Sequence, residues 1–387
     1  MSLQVHNQLS SSRFINMCVA NWFLHIYIFS TIPLITDQLS KLSAPIGYAG
    51  LAMLTFAVGM FIPGPFGAHI MERRSRKEVF LKSLLAVGPL VILLLSYAKN
   101  YNEVLLITLL QGGAFGVAQT ALGTTLVNDV LLSQHRNKGD LIYGWAGRIG
   151  IPLGLFFGYI LHLIFPFSNG YWWTLIPCAL SFLLVAQTQV PLKAPVKVPI
   201  VTLDRFFLPK SCPLALTMVA APWTLGRITG YFAGRHNEDV IICSAFLFIT
   251  IGVLAAFLIQ IFVRRRIGQR ALITASYLLV IVSIVLFSIH NEMANVLSYL
   301  LIGCGVGAVS SRHLMDWVTS AQHCQRGTAQ NTYMLFWRLA FSIGFLVSDF
   351  GLIHDFITDA LFCILSIIIY ITWVGRQYAA NDIGYTE

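Results

Sequence analysis

Apolar runs of about 20 residues recur from one end of this chain to the other, separated by short segments where Gly, Pro and charge gather. A bilayer core of about 30 Å needs ~20 residues of helix per crossing, so each run has the length of one span. Strand-like alternation is absent, and a helix satisfies its own backbone polar groups in lipid. The breaks predict spans at 14–36, 46–70, 78–98, 102–127, 141–165 and 170–189, then at 212–233, 239–263, 271–290, 293–314, 328–350 and 354–375. The stretch from Pro191 to Pro213 is rich in proline and charge and has too short an apolar run to cross, so it reads as a connection. The expected fold is an all-α membrane protein of twelve transmembrane helices in two pseudo-symmetric six-helix bundles. Their bounds are 1–190 and 212–387, with a linker at 191–211. The run from Phe14 to about Ile35 is too long for the apolar core of a signal peptide and reads as a retained first helix.

Composition agrees with the pattern. Apolar residues make up 57% and charged residues only 11%, against about 25% charged in a soluble domain. The formal charge of +9 would fit a nucleic-acid partner if it were clustered on a soluble surface. Instead most Lys and Arg residues fall in loops on one side: Arg73, Arg74, Arg76 and Lys77; Arg136 and Lys138; Lys193, Lys197, Arg205 and Lys210; and Arg264, Arg265, Arg266 and Arg270. Lys41, Lys99 and Arg235 fall on the other. By the positive-inside rule the basic side, with both termini, is expected to be cytoplasmic, in a bacterial inner membrane. The seven cysteines show no C-x-x-C pair and read as buried thiols.

Three arginines break the apolar pattern: Arg148, Arg227 and Arg338 each sit inside a span. A guanidinium at membrane depth costs roughly 3 kcal/mol on insertion scales, so each needs a partner, a cavity or an anionic ligand. Tyr143, Arg148 and Gly154 in the fifth span recur at the same spacing as Tyr333, Arg338 and Gly344 in the eleventh, which points to internal duplication. Gly144, Gly147, Gly154 and Gly158 form a small-residue stripe near Arg148, read first as close helix packing. Asp349 is three turns from Arg338, about 16 Å along the axis, too far to pair with it directly. With no acid placed clearly at mid-membrane, the arginines point to carboxylate, phosphate or sulfate, whose geometry the guanidinium fork matches. An ion pair or carbonyl contact inside the bundle is the alternative for each. Asn21, Trp22 and His25 share a face of the first span, and Trp223 precedes Arg227 by one turn in the seventh. His25 adds a titratable group to the same region, or else a simple hydrogen-bonding one.

After the second span comes Gly64-Pro65-Phe66-Gly67-Ala68-His69-Ile70-Met71-Glu72-Arg73-Arg74-Ser75-Arg76-Lys77, and here the chain resembles the major facilitator superfamily. That family's signature joins helices two and three with a Gly, an acid followed by a base, a second Gly and a basic cluster. The resemblance implies a conformational latch in which Glu72 is the acid, Arg73 the first base, and Arg76 with Lys77 the cluster. Ser75 stands where the second Gly is usual and Ala68 where the first is. Gly268 and Arg270 hold the matching place between helices eight and nine, with Arg265 where an acid would lie. Gln111-Gly112-Gly113-Ala114 resembles the Gln-Gly part of the family's fourth-helix signature, with Thr108 in place of the Arg linked to proton transfer. Gly150-Ile151-Pro152-Leu153-Gly154 is distantly similar to an exporter signature without meeting it in full.

Together these readings give a secondary transporter or facilitator that moves a small, anionic solute by alternating access, and not an enzyme. Arg148, Arg338, Arg227, His25, Trp22, Asn21, Gln111 and Trp223 are the expected substrate residues. The expected partners are that solute, a coupling ion (proton or sodium) and the lipid bilayer, for a monomer that binds no nucleic acid. No catalytic constellation, metal-ligand spacing or phosphate-binding glycine loop is visible, and no cofactor is expected. A multidrug or metabolite exporter is the alternative within transport, and a non-transporting membrane sensor or scaffold the alternative outside it.

Overall fold

The computed structural model describes residues 9–131, 136–165, 170–190, 198–233, 239–263, 268–289, 291–322, 325–352 and 356–374. Among the described residues the chain makes twelve spans. The first six are α1 (Ser12–Lys41), a bent α2 (Tyr48–Phe61 and Gly64–Arg73), α3 (Arg76–Tyr97), α4 (Tyr101–Gln119 continuing through Thr120–Leu126 and Val127–Val130), α5 (Arg136–Ile164) and α6 (Gly170–Gln187). The second six are α7 (Cys212–Met218 with Ala220–Ala233), α8 (Asp239–Val263), α9 (Gln269–Phe287), α10 (Glu292–Ser320), α11 (Arg326–Asp349) and α12 (Ile357–Ile369 continuing through Tyr370–Val374). All are helical, as the hydrophobic pattern predicts.

Seven of these are individually long and apolar enough to cross a membrane, or eight with the bent α2 taken as one. Helix α11 fails such a test for a physical reason. Gln330, Asn331, Thr332 and Arg338 are all buried, so it turns a polar face inward rather than to lipid. Several ends differ from the sequence reading. Helix α1 runs on to Lys41 because Asp37 and Lys41 pair at 3.3 Å one turn apart, and α10 extends to Ser320. Helix α2 is not straight: its two segments meet at 50° beside Pro63, which lacks the N–H an unbroken helix would use. At that bend Gly64 leaves room for Phe206 of the linker, since a Cβ there would lie 1.9 Å from its ring.

The two halves pack alike. Helix α1 lies along α5 as α7 lies along α11, and α2 lies along α4 as α8 lies along α10. Between the halves α5 meets α8 and α2 meets α11, again an exchange of equivalent helices. Glycine sets the closeness. A Cβ at Gly154 or Gly158 would come within 2.7 Å and 2.5 Å of the Ile26 and Ser30 carbonyls of α1. One at Gly226 or Gly344 would come within 2.0 Å and 2.3 Å of the Phe341 and Trp223 carbonyls across the α7–α11 contact. The glycine stripe of the fifth span is therefore a packing surface, and it brings the α1 side chains against α5.

The six cysteines among the described residues are free, and Cys18, Cys178, Cys243 and Cys363 are buried; Cys324 lies outside the described residues.

Candidate functional site

Close approach of α1 to α5 places Asn21 and His25 beside Gly147, where an added Cβ would meet both side chains at 3.0 Å. Asn21 Nδ2 donates to the Tyr143 carbonyl at 2.9 Å, while its Oδ1 has no partner. His25 Nδ1 contacts the Asn21 carbonyl at 2.9 Å, and its ring stands edge-on to Phe115 of α4. His25 lies within electrostatic reach of both Arg148 and Arg338.

Each of those arginines belongs to one half and reaches into the other. From α5, Arg148 Nη2 donates to the Ser310 carbonyl of α10 at 2.8 Å and to the Tyr333 hydroxyl of α11 at 3.2 Å. Tyr333 donates in turn to the Ser310 carbonyl at 2.8 Å, and Trp337 Nε1 donates to Ser310 Oγ at 3.1 Å. From α11, the Arg338 guanidinium sits 4.3 Å from the centroid of Phe29 on α1 and 5.1 Å from that of Phe115 on α4, with Trp337 at 5.7 Å. Cation–π attraction offsets part of its desolvation and supplies no counter-charge. Both arginines are about 5% exposed or less. Nε and Nη1 of Arg148 and Nη2 of Arg338 have no hydrogen-bond partner, and no described carboxylate forms an ion pair with either residue.

Arg227 is different. It and Asp359 of α12 are essentially fully buried and ion-paired at 3.3 Å, and Trp223 Nε1 donates to the same carboxylate at 2.7 Å. Arg227 also lies 4.9 Å over the Phe356 ring. The sequence reading placed Arg227 and Trp223 with the other two arginines; the structure joins them instead to an α7–α12 cluster with its own acid. Asp359, which with Asp355 is one of two acids in the apolar last span, was the available signal. Of the remaining expected site residues, Gln111 is buried against the Tyr27 hydroxyl, whose proton goes to the Val87 carbonyl at 2.6 Å. Trp22 is half-buried beside Phe23, with its Nε1 unpartnered. Sequence reasoning missed Tyr333 as an Arg148 partner although it stands in the repeated Tyr–Arg–Gly spacing. It also missed Phe29, Phe115, Ser310 and Trp337, which no spacing rule singles out.

On the basic side, Arg76 bridges two acids, binding Asp129 at the end of α4 at 2.5 Å and Glu72 at 3.0 Å. Lys77 donates to the carbonyls of Ala186 and Thr188 at 2.6 Å and 2.9 Å, at the C-terminal end of α6 where a cation is favoured. Arg73 is exposed. In the second half Gly268 is exposed at the start of α9, Arg270 is exposed within range of Tyr370, and residues 264–267, including Arg265, lie outside the described residues. Asp129 is an Arg76 partner that the loop motif did not reveal.

A cavity of about 570 Å³ opens on this basic side, lined by Glu72, Arg76, Asp129, Arg136, Asp140 and Asn331 among others. Thr120 of α4 donates to Asn331 of α11 at 3.1 Å in its wall. The arginine pair lies outside that lining. Beside Arg148 and Trp337 there is a space of only about 10 Å³, the size of a single water. On the opposite side the halves are in contact. Asp349 of α11 accepts from the Gly50 N–H at 2.7 Å in the first turn of α2, and the Phe350 ring fills the space where a Cβ on Gly47 would stand.

Twelve spans in two like halves, with reciprocal arginines between them, fit one family. The sequence model of the Major Facilitator Superfamily matches residues 14–345. The chain belongs to the major facilitator superfamily. Among solved structures it is similar to the human organic anion transporter MFSD10 (TETRAN), with a TM-score of 0.65 and 16% identity, covering 92% of this chain and 98% of that one. It is also similar to a point mutant of the nucleoside transporter NupG, with a TM-score of 0.62 and 16% identity, covering 94% and 99%. No curated protein sequence matches it. Membership makes this a multi-pass membrane protein of a transporter family.

Proposed function

We propose that this member of the superfamily carries a small organic or inorganic anion across a bacterial cytoplasmic membrane by alternating access of two halves, 1–190 and 212–387. The observation that carries the reading is the pair Arg148 and Arg338. Each is buried, each crosses into the opposite half, each keeps guanidinium donors without a partner, and neither has a carboxylate among the described residues. A permanent cation left this way is costly unless a bound anion completes it in part of the cycle. A site built jointly by both halves at mid-depth is also where rocking bundles would hold cargo. His25 and Asn21 lie beside it, whereas Arg227 is neutralised by Asp359 and acts as a structural residue.

The basic side is cytoplasmic in this reading, so the vestibule there opens to the cytoplasm and the opposite face is closed. Glu72, Arg76, Lys77 and Asp129 brace that side of the first half. The structural neighbours include carriers of organic anions and of nucleosides, and at 16% identity the likeness is one of fold. The choice of an anion over a neutral solute therefore rests on the arginines. Absence of a described carboxylate beside them counts against an exporter of cationic drugs.

A thermal-shift screen of the purified protein tests this, using phosphate, sulfate, mono- and dicarboxylates, and neutral and cationic metabolites of matched size. Stabilisation by one anion class, lost in Arg148→Ala and Arg338→Ala, is expected, because a ligand stabilises the state it binds by mass action. Stabilisation by neutral or cationic compounds alone would make the arginines structural and end the anion reading.

A further inference from the structure

At the closed face opposite the vestibule, α5 ends in a partly buried histidine set between acids of both halves. His162 Nδ1 lies 3.0 Å from Asp239 Oδ2 at the start of α8, and its Nε2 lies 3.8 Å from Asp37 Oδ1 on α1. Asp37 also pairs with Lys41 at 3.3 Å. On its own helix the histidine has the Tyr159 hydroxyl one turn away, without a hydrogen-bond partner. Pro33 and Thr36 of α1 and Phe232 and Ala233 of α7 complete the surroundings with uncharged groups. Cys243 lies one turn beyond Asp239 on α8. Among the described residues these are the titratable and charged groups that face it; residues 234–238 lie outside them.

We propose that His162 is a proton-binding site that holds this face shut. A neutral imidazole carries one N–H and can donate to one carboxylate, while its other nitrogen presents a lone pair to the second. The imidazolium donates to Asp239 and turns a second N–H toward Asp37 at ion-pair distance. Among these described groups a neutral ring leaves the partly buried set of Asp37, Lys41 and Asp239 with a net charge of −1, and a protonated ring balances it. Parting of the halves would carry Asp239 away with α8 and expose the ring to water, where an imidazole titrates near 6.5. Closing the face therefore takes up a proton and opening it releases one. Acid on that side shifts the protein toward the state seen here. The inference rests on alternating access of the halves and not on the chemical nature of the cargo.

The test places dyes at Ile46 and Met293, both about 80% exposed at this face and in different halves, by unnatural amino acids in the full-length protein in nanodiscs. Energy transfer is then followed from pH 5.5 to 8.5. The closed population is expected to fall as pH rises, with the slope of a single proton. His162→Gln should flatten that profile, Asp239→Asn should flatten it independently, and His162→Lys should stay closed throughout. Gly50→Trp, which must push against Leu346 of α11, serves as the open reference. If His162→Gln keeps the wild-type profile, or if wild type ignores pH while Gly50→Trp still opens, the proton site is wrong and the rocking motion stands. If neither pH nor Gly50→Trp moves the dyes, the motion fails and the proton site fails with it.

Discussion

Two groups of buried arginine sit in this membrane protein, and they solve the same electrostatic problem differently. Arg227 has Asp359 at 3.3 Å, an aromatic ring beneath it and a Trp donor sharing its acid, all between helices of one half. Arg148 and Arg338 have carbonyl, hydroxyl and aromatic contacts across the two halves and no acid among the described residues. The first arrangement carries its counter-charge within one half. The second is incomplete, and its contacts must break if the halves move apart. In the proposed reading, the described carboxylate is what separates the structural Arg227 from the cargo-binding Arg148 and Arg338.

The largest expected effect comes from breaking the complete cluster. Asp359→Ala leaves Arg227 buried without its acid and should cost about 3–5 kcal/mol of stability, read from denaturant unfolding in mixed micelles. Asp359→Leu combined with Arg227→Met should recover most of that loss, because replacing both charges removes the desolvation term. If the single variant is as stable as wild type, the two groups of arginine are not distinguished by their partners.

A second comparison concerns the duplicated packing. Gly226→Val in the second half would force a side chain against the Phe341 carbonyl, and Gly154→Val in the first would force one against the Ile26 carbonyl. Each should cost about 1–3 kcal/mol by overpacking, measured by thermal unfolding. Unchanged melting in either half would show that its helices separate more easily than the equivalent pair.

The smallest effect sharpens the repeat itself. Tyr333 uses its hydroxyl on the Ser310 carbonyl and on Arg148, whereas the related Tyr143 hydroxyl has no partner. Tyr333→Phe should cost about 1 kcal/mol, and Tyr143→Phe close to nothing or a slight gain, since an unsatisfied buried hydroxyl is removed. Equal effects from the two substitutions would mean that the hydroxyl bonds do not set the asymmetry between α5 and α11.

Much of the fold was legible because lipid imposes a length and an apolar composition on each span. That rule placed all twelve helices. It erred where local chemistry took over: the Asp37–Lys41 pair prolongs α1, and Pro63 bends α2. The candidate site was legible only in part. A charged residue inside an apolar run stands out by itself, so Arg148, Arg227 and Arg338 were all visible. Which of them had an acid was not, because Asp359 is 132 residues from Arg227 in the chain and meets it only when α12 packs on α7. The aromatic cage of Arg338 was hidden for a related reason: Phe29 and Phe115 are ordinary members of apolar spans until packing turns them toward the guanidinium.

By itself the sequence determined what each segment must do to survive in lipid, since burial of the backbone and the cost of charge act residue by residue along a helix. It therefore specified the spans, the basic side and the three arginines. Tertiary structure alone decided which charges meet, which stay without a counter-charge, and which face between the halves is shut. Those outcomes depend on distances between helices far apart in the chain, and the glycine contacts of α1 with α5 and α7 with α11 set several of those distances.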